Sequence, residues 1–184
     1  MKKLLSIGIV VLMIFCFCGC KERFDPAPQI TEGEFPFVVE YEINGQRYLI
    51  EDTVVCTWDG YDASNNFAIF GYPSSREWGE SLKSGNEDFL GILLMELEEN
   101  TESVFVKGRI NYESRVFLDY GSAEYYMGDT DGTHYHKPCI RYYEEHNETP
   151  DITFTTLTNE QLEKYFGIKI IRFEFSEPIE NKFE

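Results

Sequence analysis

Between Phe37 and Ile50 the chain alternates apolar and polar residues on both sides of an Asn-Gly pair. A β-hairpin satisfies that pattern and few other local structures do. Phe37, Val39, Tyr41 and Ile43 alternate with Val38, Glu40 and Glu42, and residues 46–50 alternate again after Asn44-Gly45. A two-residue type I′ turn needs positive φ at both central positions, which Asn and Gly tolerate best. The turn predicts the register: Ile43 opposite Gln46, Glu42 opposite Arg47, Tyr41 opposite Tyr48, Val39 opposite Ile50. One face then collects Phe37, Val39, Tyr41, Ile43, Tyr48 and Ile50. The other sets Glu42 against Arg47. The same parity runs on through Val54, Cys56 and Trp58 and turns Cys56 inward.

Further β-like runs cover residues 67–72, 89–97, 104–112, 115–120, 134–143, 152–156 and 168–175, the last with Ile171, Phe173 and Phe175 inward. Two short helices are expected. One spans residues 74–82, where Ser74 and Glu77 have capping-box spacing and Trp78 and Leu82 lie four apart. The other is capped by Thr158, carries Gln161 three residues later and an apolar stripe of Leu162, Tyr165 and Phe166, and stops at Gly167. Residues 98–103 read as a turn and residues 121–133 as a loop. Many strands with two short helices predict a mainly β domain, an antiparallel sandwich or barrel-like sheet, with an α+β sheet as the alternative. Residues 35–184 read as one domain without internal repeats.

The amino-terminal stretch carries an address. Lys2 and Lys3 precede an uncharged run from Leu4 to Phe17, and Cys18-Gly19-Cys20 leads into Lys21-Glu22-Arg23. The run is short for a membrane span, which needs about 20 residues, and suits the core of a secretory signal. A small residue before a cysteine at the end of such a run resembles the lipobox of bacterial prolipoproteins. The resemblance implies that residues 1–19 are a signal peptide removed before Cys20, and that Cys20 carries a diacylglycerol thioether and an acylated amino terminus. Two or more acyl chains anchor a protein stably. The expectation is a lipoprotein on the extracytoplasmic face of the cell membrane, with residues 20–34 as the lipidated Cys and a flexible tether. The stretch over residues 35–53 and the loop at residues 121–129 resemble uncharacterised small lipoproteins of Gram-positive gut bacteria. That likeness implies a cell-surface protein and no activity.

The formal net charge is −17, and the leader contributes only lysines, so the mature chain is more negative still. This argues against nucleic acid, which binds cations, and leaves the lipid anchor as the contact with the membrane. Once the leader is gone and Cys20 is lipidated, Cys56 and Cys139 remain. Outside the cytoplasm they can form a disulfide or stay as two small buried thiols.

No nucleophile elbow, phosphate-cradling loop or zinc-spaced cysteine pair is present, and no residue is singled out as catalytic. One constellation carries chemistry: Asp129, Asp131, His134 and His136. Two imidazoles two apart on a strand share a face and, with a carboxylate, can hold zinc; the two Asp with loop carbonyls can hold calcium. The competing reading is an acidic turn leading into a strand, since turns favour Asp and Gly for backbone reasons. Trp58, Trp78 and the tyrosines Tyr120, Tyr125 and Tyr126 either stack on a glycan or protein partner or fill the β core. The expected function is a membrane-anchored binding or interaction module, with a metal-binding or metal-dependent envelope enzyme as the alternative.

Overall fold

The computed structural model describes residues 26–61, 75–88, 90–146 and 152–184. The expected signal peptide, Cys20 and the expected strand at 67–72 lie outside the described residues. The chain runs β1 (Glu32–Ile43), β2 (Gln46–Tyr61), β3 (Arg76–Leu82), β4 (Ile92–Glu96), β5 (Thr101–Glu102), β6 (Ile110–Asp119), α1 (Ala123–Tyr126), β7 (Cys139–His146), β8 (Ile152–Thr156), α2 (Asn159–Gln161) and β9 (Ile168–Phe175). The strands form two antiparallel sheets. One has the order β3-β2-β1-β9; the other has β4-β6-β7-β8, with β5 also on β6. Val39, Val54 and Cys56 of the first sheet share a core with Val116, Leu118, Ile140 and Tyr142 of the second. The fold is therefore a β sandwich of two separate sheets, not a closed barrel.

The β1–β2 hairpin has the predicted register, from Ile43 opposite Gln46 to Val39 opposite Ile50. Asn44 has φ 53° and Gly45 φ 80°, as a type I′ turn requires. The pairing continues to Gly33 opposite Cys56, so Cys56 faces the core and is fully buried. Within the described part of the expected tether, β1 already begins at Glu32, and the amide of Gln29 donates to the Lys182 carbonyl at 2.8 Å. Residues 27–29 thus pair with the carboxyl terminus.

Four expectations fail for physical reasons. Residues 76–82 form strand β3 against β2, not a helix. Trp78 and Leu82 are four apart, but Arg76, Trp78 and Leu82 also alternate, and the mid-segment Gly79 weakens a helix. Residues 104–109 turn instead of forming a strand, because Ser103 Oγ accepts the amides of Phe105 at 3.3 Å and Val106 at 3.0 Å and so diverts them from a ladder. Strand β7 starts at Cys139, not His134; Pro138 has no amide to give a ladder, so both imidazoles sit in a loop. In β9 a bulge pairs Glu40 with Arg172 but Tyr41 with Ile170, which leaves Ile171 39 % exposed and Phe173 38 % exposed. They lie at the sandwich edge rather than in its core.

The second helix is closer to expectation. Thr158 and Gln161 make a full capping box, and Gly167 closes the element with φ 65°. Leu162 and Phe166 are buried in a single wide turn over Leu162–Phe166, while Tyr165 stays at the surface. No helix among the described residues is long and apolar enough to cross a membrane.

Candidate functional site

The loop between β6 and β7 does not gather the four predicted ligands. Asp129 is turned inward, its side chain 1 % exposed, against Arg76, 7 % exposed. Arg76 Nε donates to one carboxylate oxygen at 2.7 Å and Nη2 to the other at 2.6 Å. Trp78 Nε1 adds a third donor at 3.0 Å. Burial pushes the Asp129 pKa up, but these donors and the guanidinium charge outweigh it and hold the carboxyl below its usual range. Arg76 also stacks on Phe183, 4.4 Å from the ring centre. The carboxylate thus pins the loop to β3 and the carboxyl terminus. His136 points elsewhere, to Asp119; Asp131 meets Asp129 only through its backbone amide, and His134 meets His136 only through its carbonyl. Among the described residues no three His, Cys, Asp or Glu side chains converge to hold an ion.

Cys56 and Cys139 are separate free thiols. They belong to opposite sheets, one sealed in the core and the other half-buried at the start of β7. Burial pushes the Cys56 thiol up to about 12, with Glu80 and Glu124 adding to the effect.

His136 builds a different site, with residues that lie far from it in sequence. Val116, Leu118, Ile140 and Tyr142 face the core, so by alternation Phe117, Asp119 and Arg141 project from the opposite face of their sheet. Asp119 lies opposite Cys139, diagonal to Arg141. His136 Nε2 stands 2.9 Å from Asp119 Oδ1, and its Nδ1 stands 2.7 Å from the His134 carbonyl oxygen. A carboxylate and a carbonyl are both acceptors, so each ring nitrogen meets its partner best as a donor, and the pair favours the imidazolium. The Asp119 hydrogen bond is the main force raising the His136 pKa, against burial that lowers it. For Asp119, burial raises the pKa, but His136, the Gly121 amide at 2.9 Å and the Arg141 charge hold it below normal.

Arg141 Nε lies 3.0 Å from Asp119 Oδ2. That Nε–H is buried and makes no hydrogen bond among the described residues, and neither terminal amino group has a hydrogen-bond partner among them. These groups face a cleft of about 270 Å³. Phe117 and Phe154 form one wall, ring centres 6.3 Å apart and edge to face. Asp88, Leu90, Gly91, Glu80, Tyr120 and His136 also line it. Gly91 has φ 117°, and a Cβ there would run into the Leu118 carbonyl oxygen. Only glycine lets this turn close on β6. Glu80 Oε2 accepts the Ala123 amide at 2.9 Å, which fixes the start of α1 beside the cleft.

The tyrosine cluster divides. Tyr126 is fully buried and donates to the Tyr120 carbonyl at 2.5 Å, so it is core. Tyr120 donates to Glu87 at the cleft rim. Tyr125 packs edge to face on Tyr126 and Tyr135. Trp58 and Trp78 pair across β2 and β3, half-buried.

Chemically the cleft offers a guanidinium with open donors, a locked imidazole, carboxylates and an aromatic wall. Among the described residues no Ser, Thr or Cys side chain is hydrogen-bonded to an imidazole. No family model, curated protein or solved structure matches the chain.

Proposed function

We propose that the protein is a lipid-anchored extracytoplasmic binding module, and that the cleft beside Asp119, His136 and Arg141 is where it holds a small polar ligand. One observation carries the reading: Arg141 is held beside Asp119 in the lining of a cleft with an aromatic wall, its buried Nε–H and its terminal amino groups without a hydrogen-bond partner among the described residues. A guanidinium costs free energy when partly desolvated without full hydrogen bonding, and a ligand acceptor would repair that. An aromatic wall beside converging polar groups is a combination that small-molecule sites use. The anchor rests on the leader, with Cys20 as the lipidated residue. Binding is favoured over catalysis because both ring nitrogens of His136 are engaged, which leaves it no free position for proton transfer to a substrate.

A thermal-shift screen of the full chain in detergent against small sugars, amino acids and carboxylic acids tests this. At least one class should raise the melting temperature of the native protein and fail to raise that of Arg141→Gln. If no class stabilises the native chain, or if Arg141→Gln responds equally, the cleft is not the site.

A further inference from the structure

The groups around the cleft differ in what they have left to give. Arg141 has two open terminal donors, but its charge is already matched by Asp119. Glu80 uses Oε2 on the Ala123 amide, and Oε1 makes no hydrogen bond among the described residues. Phe154 sits on edge strand β8, 49 % exposed, with its ring held by Phe117 and Tyr143 at 6.3 Å and 5.5 Å. A ligand that uses all three presents an acceptor, a donor and a flat apolar patch within one small body.

The charges narrow the class. An anion must approach a chain of net charge −17 and compete with Asp119 for both His136 and Arg141. A cation would be drawn to Glu80 but would leave the Arg141 donors unmet. A neutral ligand carrying hydroxyls satisfies both, because a hydroxyl donates and accepts. The cleft, at about 270 Å³, lies just below the usual range of ligand sites and is open to solvent. It therefore fits one ring, alone or as the end of a longer chain.

We infer that the cleft binds a neutral sugar ring, with vicinal hydroxyls on the Arg141 fork and on Glu80 and the C–H face of the ring on Phe154. The inference rests on the cleft being a ligand site. The guanidinium spans two neighbouring oxygens with parallel N–H groups, which lysine cannot do. Phe154 supplies area at low entropic cost, since its ring is already packed on two others.

The test is isothermal titration of the full chain in detergent with three probes: a panel of neutral methyl glycosides and N-acetylhexosamines, a panel of free amino acids, and succinate. Saturable heat with at least one neutral sugar alone is expected. Phe154→Ala should weaken that sugar roughly tenfold, the loss of one good stacking contact. Arg141→Lys, which keeps the charge and loses the fork, should weaken it by a similar factor. Both variants should melt within a few degrees of the native chain, because Phe154 is half-exposed and Arg141 forms only a partly exposed ion pair. Binding of amino acids or succinate with no response to sugars would overturn the sugar assignment and leave the cleft as a site for another class. Silence from all three panels would overturn both. Sugar binding unchanged in Phe154→Ala and Arg141→Lys would place the sugar elsewhere and overturn the inference.

Discussion

His136 and Asp119 meet at 2.9 Å across a loop and a strand end 17 residues apart, and Arg141 closes on the same carboxylate from the neighbouring strand at 3.0 Å. The three groups set the polar side of the cleft. The His136 pKa is raised in the folded chain, chiefly by the Asp119 hydrogen bond. A raised folded pKa contributes stability that is fully present below the unfolded value of about 6.5 and is lost as pH climbs through the folded value. Melting temperature should therefore fall across that window above pH 6.5, and His136→Gln should remove the slope. Asp119→Asn should bring the His136 titration, read from its ring carbon–proton signal, back down. A His136 that titrates identically with and without Asp119 would refute the coupling.

Asp129 and Arg76 give the opposite sign. The Asp129 pKa is lowered, so its contribution is present above about pH 3.9 and lost as pH falls through the lower folded value. Acid unfolding should steepen in that range, and Asp129→Asn should flatten it. Removing one partner of so buried a pair costs about 3–5 kcal/mol. Arg76→Met alone should cost a similar amount, and the double variant much less than the sum, because neither charge is then stranded. Urea unfolding of the three variants measures this directly.

The hairpin was legible because its information is local: Asn44-Gly45 sets the turn, and the turn sets every pair from Ile43–Gln46 outward. The capped helix at Thr158 was legible for the same reason. Strand β3 was misread because Trp78 and Leu82 fit both periods, and only pairing with β2 decides between them. The site was the least legible part. Asp119 and Arg141 come together through the β6–β7 pairing, across a connection of nearly twenty residues whose return no local pattern announces. The Asp/His cluster drew the eye by sequence proximity, yet the fold sends Asp129 inward to Arg76 and His136 outward to Asp119. In the strand expected over residues 115–120, Phe117 alternates with Val116 and Leu118, and Asp119 shares its parity; that alternation is the local pattern that bears on the site.

The two remaining thiols should behave differently. Cys56 is sealed in the core with its pKa pushed up to about 12, while Cys139 is half-buried. A maleimide should modify Cys139 first in the native protein and reach Cys56 only on unfolding. Non-reducing mass mapping that finds the two joined would contradict the arrangement of separate thiols.

Anchoring makes its own prediction. The native chain should partition with membranes and be released by detergent, with a mass increase on Cys20 matching a diacylglycerol and an acyl group. Cys20→Ser should leave the lipid off and abolish that increase. A native protein whose Cys20 carries no lipid would remove the anchor from the account.

The most direct measurement of the central claim is where a ligand lands. In the full chain in detergent, with phenylalanine and histidine rings carbon-labelled, the ring signals of Phe117, Phe154 and His136 can be followed while N-acetylhexosamine or the best probe from the titrations is added. These signals should move together along one saturation curve while those of Phe37, Phe173 and Phe175 in the other sheet stay still. Movement confined to the other sheet, or a saturating ligand that leaves His136 and Phe154 unmoved, would contradict that claim.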